Sequence, residues 1–354
     1  YTAQGFAAQL ARAVKRQMIA DVPIGVFLSG GVDSSGVAAL MQLAGASPLR
    51  TFAVGFAGDD GASAELPFAR QVAQHLGTEH HEIMVDDADL TTLLPKLVWM
   101  LDEPHADYAA VPTYLLAQAA RSQITVALTG EGGDEVFGGY DRYLNPPRAN
   151  EPYHGLTRIC DDLDKRTLLT GDFLAALVVA KGDYLERLDR QYRGLDPRIC
   201  CMATDFVGWL PDDLLMKVDR AAMAVSLEAR VPLLDRKIIE YAAGLPPALK
   251  VQGKETKIVL KRALDPLLPW QILQRRKQGF TPPLPRWLAR PAFRGWLRDL
   301  LLSVRTRQRG FFQHDAVAAL LAQETQTMTA AMQVWLLACF ELWCRQFLDG
   351  DGYA

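Results

Sequence analysis

Two short apolar runs, Ile24 to Leu28 and Ile124 to Leu128, each end in a glycine loop, and no other feature restricts the fold as much. A run of about four to eight apolar residues that stops at glycine reads as a buried strand. After the first loop the apolar residues Val37, Leu40, Met41 and Ala44 recur with a helical period, so Ser34 to Ala44 is expected as a helix with Asp33 or Ser34 as its cap. Upstream, Phe6, Leu10, Val14 and Met18 mark an amphipathic helix over Gln4 to Met18, stopped by Asp21-Val22-Pro23. The alternation goes on: strand over Thr51 to Phe56, helix over Ala64 to Leu76, strand over Glu82 to Val85, helices over Leu90 to Leu101 and Thr113 to Arg121. Strands alternating with helices predict parallel βαβ units in an α/β fold with a doubly wound, mostly parallel sheet. Ligands of such sheets lie beyond the carboxyl ends of the strands, where both glycine loops fall.

From about residue 150 the strand signals fade and helical stretches take over, among them Leu168 to Ala180, Lys257 to Leu264 and Met332 to Phe347. The expected organisation is an α/β core over residues 1–150 and a mostly helical part over 151–354 that completes the site. A chain of 354 residues, 49% apolar and 22% charged, has room for two such parts and is far from a disordered composition. A net charge of −3 argues against a nucleic-acid partner, and no apolar run is long enough for a membrane span or placed as a secretory leader. The cysteines Cys160, Cys200, Cys201, Cys339 and Cys344 form no CxxC pair, so neither a zinc site nor a disulfide framework is expected and a reducing cytoplasm fits. The chain opens at Tyr1 without a methionine, which suggests a piece of something longer.

The first loop is Ser29-Gly30-Gly31-Val32-Asp33-Ser34-Ser35. Consecutive glycines let backbone N–H groups close around an anion, the following helix adds its positive end, and three hydroxyls add donors. Asp33 would repel a phosphate unless a cation came with it, and magnesium resolves that conflict. The loop is neither a Walker A loop nor a GxGxxG fingerprint.

The second loop, Thr129 to Tyr140, carries Glu131, Asp134 and Glu135 on a backbone opened by five glycines. Like charges this close raise one another's pKa, so the cluster needs a metal or a proton. Asp134 is the natural second metal ligand opposite Asp33, and Glu131 could face a reacting centre as a base or orienting group. Without further context Arg275-Arg276-Lys277 would read as a solvated basic turn, and Glu228 with Arg230 as a buried structural ion pair. The pair His80-His81 and the lone His105 lack metal-binding spacing.

Ser29 to Ser34 matches the SGGxDS pyrophosphate loop of N-type ATP pyrophosphatases, the PP-loop superfamily, and Thr129 to Tyr140 resembles the GEGxDExFGGY segment of the asparagine synthetase B family. Ser226 to Asp235 and Arg276-Lys277-Gln278-Gly279-Phe280 are similar to two further stretches of that family, so the resemblance runs from about residue 10 to 290. It implies an adenine nucleotide alpha hydrolase-like core with a helical C-terminal elaboration. The implied activity is an AMP-forming ligation of asparagine biosynthesis: Mg-ATP adenylates a carboxylate, aspartate first among candidates, pyrophosphate leaves, and ammonia forms the amide.

On this resemblance Ser29, Gly30, Gly31, Asp33 and Ser34 form the pyrophosphate loop, and Leu28, Val54, Thr129 and Gly130 contact adenosine. Asp33 and Asp134 hold Mg2+, Glu131 serves the acyl-adenylate and nucleophile step, and Lys277 stabilises the transition state at phosphorus. The implied partners are a small carboxylate, ammonia and an N-terminal glutaminase domain of a full-length parent, with a homodimer also expected. Alternatives within the family are an amidotransferase of an exopolysaccharide or peptide cluster and a β-lactam synthetase-like cyclase, the latter disfavoured because it has tyrosine where this chain has Glu131. An inactive nucleotide-binding interaction protein is the alternative of another class.

Overall fold

In a computed structural model of the chain, residues 3–56, 65–85, 89–147, 159–179, 184–277, 282–323 and 327–352 are described. Five parallel strands, β1 (Ile24–Phe27), β2 (Arg50–Gly55), β3 (Glu79–Met84), β4 (Val126–Leu128) and β5 (Glu228–Arg230), form one sheet in the order β3-β2-β1-β4-β5. This is the expected α/β architecture. The order reverses at β1, whose neighbours are β2 on one side and β4 on the other, so the crevice at the carboxyl ends of β1 and β4 is the topological switch point.

The helices follow from the apolar periods. Helix α1 (Ala3–Gln17) buries Phe6, Leu10, Ala13 and Val14, and Phe6 stacks on Tyr241 at 4.8 Å between ring centroids. Helix α2 (Val32–Leu43) starts in the first glycine loop and buries Val37, Leu40 and Met41. Helix α3 (Leu66–Leu76) ends on Gly77 in the left-handed conformation, a glycine C-cap. The cap expected from Asp33 or Ser34 is not formed: the N-cap is Gly31, without a side-chain bond, because Ser34 Oγ turns back to accept from Ser29 N–H at 3.2 Å.

Two departures from the sequence expectation concern the second half. The stretch Glu228-Ala229-Arg230 pairs with β4 as the fifth strand although it has no apolar pattern, since the ladder Val126↔Glu228 to Leu128↔Arg230 forms through the backbone. The Glu228–Arg230 pair is present at 2.7 Å but Glu228 is exposed, so it is not a buried ion pair. The Arg230 guanidinium is instead occupied in donating to the carbonyls of Gln17 and Ile19, at 2.6 and 2.8 Å.

The chain resolves into two compact units that interleave in sequence. One comprises residues 1–86, 112–155 and 185–280, the other 87–111, 156–184 and 281–354. The expected division near residue 150 therefore differs from these boundaries, because residues 185–280 bring β5 and several helices to the sheet-containing unit. Its core joins α1, α2 and the sheet to Val259, Leu260, Leu264 and Ile272. The second unit is helical, with Phe173, Phe311, Phe312, Phe340 and Trp343 in one aromatic cluster. Among the described residues no helix is long and apolar enough to cross a membrane, and all five cysteines are free.

Candidate active site

Leu28 extends β1 by one rung, its N–H donating to Phe52 O at 2.8 Å, and leads straight into the first loop. Gly30 sits at φ +71°, and a Cβ there would lie 2.5 Å from the backbone N of Ala69, so only glycine lets the loop run this close to α3. Inside the loop the hydroxyls of Ser29 and Ser34 lie 3.0 Å apart, and Gly31 N–H donates to Ser29 Oγ at 3.4 Å. Arg275 closes the loop from outside, donating to Ser29 O at 3.1 Å while its guanidinium lies 4.1 Å over the Phe68 ring. Val54 ends up buried in β2, beside the extension of β1.

The second loop is pressed against the first. Thr129 N–H donates to Arg230 O at 2.8 Å, continuing the β4–β5 ladder. A Cβ on Gly130 would come within 2.6 Å of Ser34 N, and one on Gly133 within 2.5 Å of Asp33 Oδ1. The residues expected to bind phosphate and those expected to bind metal are thus brought together, from two strands that are neighbours only in space.

Between the loops lie two carboxylates and two ammonium groups. Lys257 Nζ bridges them, bonded to Asp33 Oδ2 and lying 2.5 Å from Asp134 Oδ1, while Lys277 Nζ is 2.7 Å from Asp134 Oδ2. Burial drives both aspartates toward the neutral form. Two lysines outweigh it at Asp134, whose pKa falls to about 2, whereas at Asp33 burial prevails over Lys257 and, with the repulsion of Asp134, raises the pKa. Burial also opposes the charge on Lys277, but Asp134 and Asp33 outweigh it and raise its pKa. Glu131 is half-buried and its pKa is raised by burial, against the pull of Lys217 and Lys277. Glu135 is lifted to about 7 by burial and by Asp134, and Tyr140 O–H donates to its Oε1 at 2.6 Å.

The Asp33 Oδ1 atom is buried and without a hydrogen-bond partner among the described residues. An orphaned carboxylate oxygen between two anion-cradling loops fits a divalent cation carried by a polyphosphate. Ser29, Gly30, Gly31, Asp33, Ser34, Thr129, Gly130, Glu131, Asp134 and Lys277 therefore share one neighbourhood, with Leu28 and Val54 at its strand ends. Residues 278–280, which follow Lys277 in its motif, lie outside the described residues.

Sequence reasoning missed Lys257, Lys217 and Arg275 as members of this neighbourhood. For Lys257 a signal existed: a lysine directly before the apolar helix Ile258–Leu264 sits at the positive end of the helix, where a cation is disfavoured unless something else holds it.

A parallel sheet in the order β3-β2-β1-β4-β5, with a Ser-Gly-Gly-Val-Asp-Ser loop after its central strand, is the fold of the PP-loop nucleotide-binding proteins. The chain belongs to the asparagine synthase family, whose model matches residues 5–345. It is 30% identical over 378 residues to asparagine synthetase [glutamine-hydrolyzing] 1 of Bacillus subtilis (strain 168), covering 94% of this chain and 57% of that protein. Asparagine synthetase [glutamine-hydrolyzing] 3 of the same organism is 30% identical over 287 residues, 76% of this chain and 46% of its own length. The asparagine synthetase [glutamine-hydrolyzing] of Asparagus officinalis is 29% identical over 289 residues, 76% of this chain and 40% of its own. The match thus spans between 40% and 57% of the length of these curated relatives.

Proposed function

We propose that this chain is the synthetase part of an amidotransferase, transferring AMP from ATP to a carboxylate and then amide nitrogen from ammonia to the activated acyl group. The observation that carries the reading is the pair of glycine loops meeting at the switch point with Asp33, Asp134 and Lys277 between them. A carboxylate is a poor electrophile, and a mixed anhydride with AMP supplies both a leaving group and a polarised carbonyl. The protein's task is to hold two anions together and to meet the charge that develops on pyrophosphate.

In this reading Ser29, Gly30, Gly31 and Ser34 bind the departing pyrophosphate, and Leu28, Val54, Thr129 and Gly130 line the adenosine. Asp33 and Asp134 would hold magnesium, which neutralises phosphate charge when bound. Lys277 leaves Asp134 for the phosphates, an exchange its partly exposed side chain permits. Glu131, with its raised pKa, faces the acyl carbon and takes up or orients the ammonia protons. Aspartate is the first carboxylate to test, and a glutaminase domain in a longer parent is the proposed ammonia source, with the cytoplasm as the proposed compartment and a homodimer as the proposed assembly.

The test is exchange of labelled pyrophosphate into ATP in the presence of candidate acids. Aspartate-dependent exchange is expected. Exchange with a different acid only would move the chain to another branch of the family, and absence of both exchange and ATP binding would sink the reading.

A further inference from the structure

The bridging lysine does more than complete an ion pair. Lys257 is 3% exposed, its backbone takes the left-handed conformation at φ +53°, and its stem passes so close to Gly139 that a Cβ there would lie 2.2 Å from Lys257 Cε. Its ammonium is enclosed by the two loops, in contrast to that of Lys277, whose side chain is 29% exposed. Lys257 takes Asp33 Oδ2 and Asp134 Oδ1, and it leaves Asp33 Oδ1 bare and Asp134 Oδ2 to the more exposed Lys277. With Lys257 and Lys277 in place the two carboxylates are fully neutralised. Beyond them stand Glu131 and Glu135, both with raised pKa, and the cations Lys217 and Lys261.

We propose that Lys257 is a fixed counter-ion of the two metal carboxylates, so that the free site does not hold a divalent cation and takes one only together with nucleotide phosphates. The inference rests on the assignment of Asp33 and Asp134 as metal ligands made above. A divalent cation approaching a neutral group of charges gains little, whereas polyphosphate oxygens supply both charge and the missing ligands. Lys257 is thus a positioning residue that ties the two loops and makes cation binding depend on nucleotide.

The experiment is equilibrium dialysis of the chain against Mn2+, with and without α,β-methylene-ATP on both sides of the membrane, counting the Mn2+ retained with the protein. Wild type is expected to bind Mn2+ more than about tenfold more weakly without the analogue, and Lys257→Gln to tighten free Mn2+ by about tenfold or more, the loss of one contacting charge. Lys257→Arg, which keeps the charge, should leave free Mn2+ as weakly bound as in wild type. The inference is overturned if wild type binds free Mn2+ within about tenfold of the analogue-bound value, a result that needs no variant, or if a cooperatively melting Lys257→Gln shows no tightening. Absence of Mn2+ binding even with the analogue would instead remove the nucleotide reading itself.

Discussion

In the helical unit the fully buried Glu341 carboxylate receives Arg309 Nε on one oxygen at 2.9 Å and Arg345 Nε on the other at 2.8 Å. Arg309 also grips Asp349 with both terminal nitrogens, at 2.9 and 2.6 Å. In the sheet-containing unit Asp33 and Asp134 face lysines, and Asp33 Oδ1 is left bare. Guanidinium forks fix direction and leave a carboxylate oxygen nothing to bind, whereas an ammonium is a rotatable point charge that can change partners. The first cluster is built to hold a fold and the second to exchange a protein cation for a ligand.

The largest effect that could break this comparison is on stability at Glu341. Glu341→Gln leaves two half-buried arginines short of the counter-charge they share and is expected to cost about 3 kcal/mol in urea unfolding. A loss below about 1 kcal/mol, the scale of an exposed pair, would contradict a structural role for that network.

Glu135 tests the other cluster through pH. Folding raises its pKa from the ordinary 4.5 to about 7, so between these values the folded chain holds a proton that the unfolded chain has released. Stability therefore falls as pH rises through that window and stays lower above it. Glu135→Gln lacks the effect and should gain on wild type by on the order of 3 kcal/mol between acid and neutral pH, measured by urea unfolding across that range. A constant difference would refute the raised pKa.

Lys277→Ala should slow labelled pyrophosphate exchange by about a hundredfold or more with nucleotide affinity nearly kept, the scale of losing one preorganised donor. An unchanged exchange rate would take Lys277 out of the chemistry. The smallest effect belongs to Arg305, on the exposed rim of the helical network beside Asp351. Its replacement by alanine should lower the melting temperature less than Glu341→Gln does, by an amount that shrinks further in high salt.

The parts legible in the sequence are those set by local chemistry. Both glycine loops could be read because a strand ending in glycines has few other uses. The helix Leu90–Leu101 matches its expected span because Asp89 caps it at Thr91 N–H and its leucines keep the period. The fifth strand was hidden because Glu228-Ala229-Arg230 joins the sheet by backbone pairing at an edge, with no apolar face to announce it. Lys257 was hidden because what holds it, two carboxylates from loops far away in sequence, is a product of the sheet order. The interleaved units were illegible for the same reason: which helices pack on the sheet depends on residues 185–280 returning to it.

The pairing of Ile24 with Val126, and of Val126 with Glu228, has a consequence for how the chain acquires activity. The loops that would grip a nucleotide follow β1 and β4, so no early, locally folded stretch contains both. Closing such long loops comes before any contact rewards it, and sheets built this way are slow to form. The first molecules able to bind nucleotide during refolding are therefore those that have already paired strands across most of the chain, and nucleotide binding reports late assembly of the sheet.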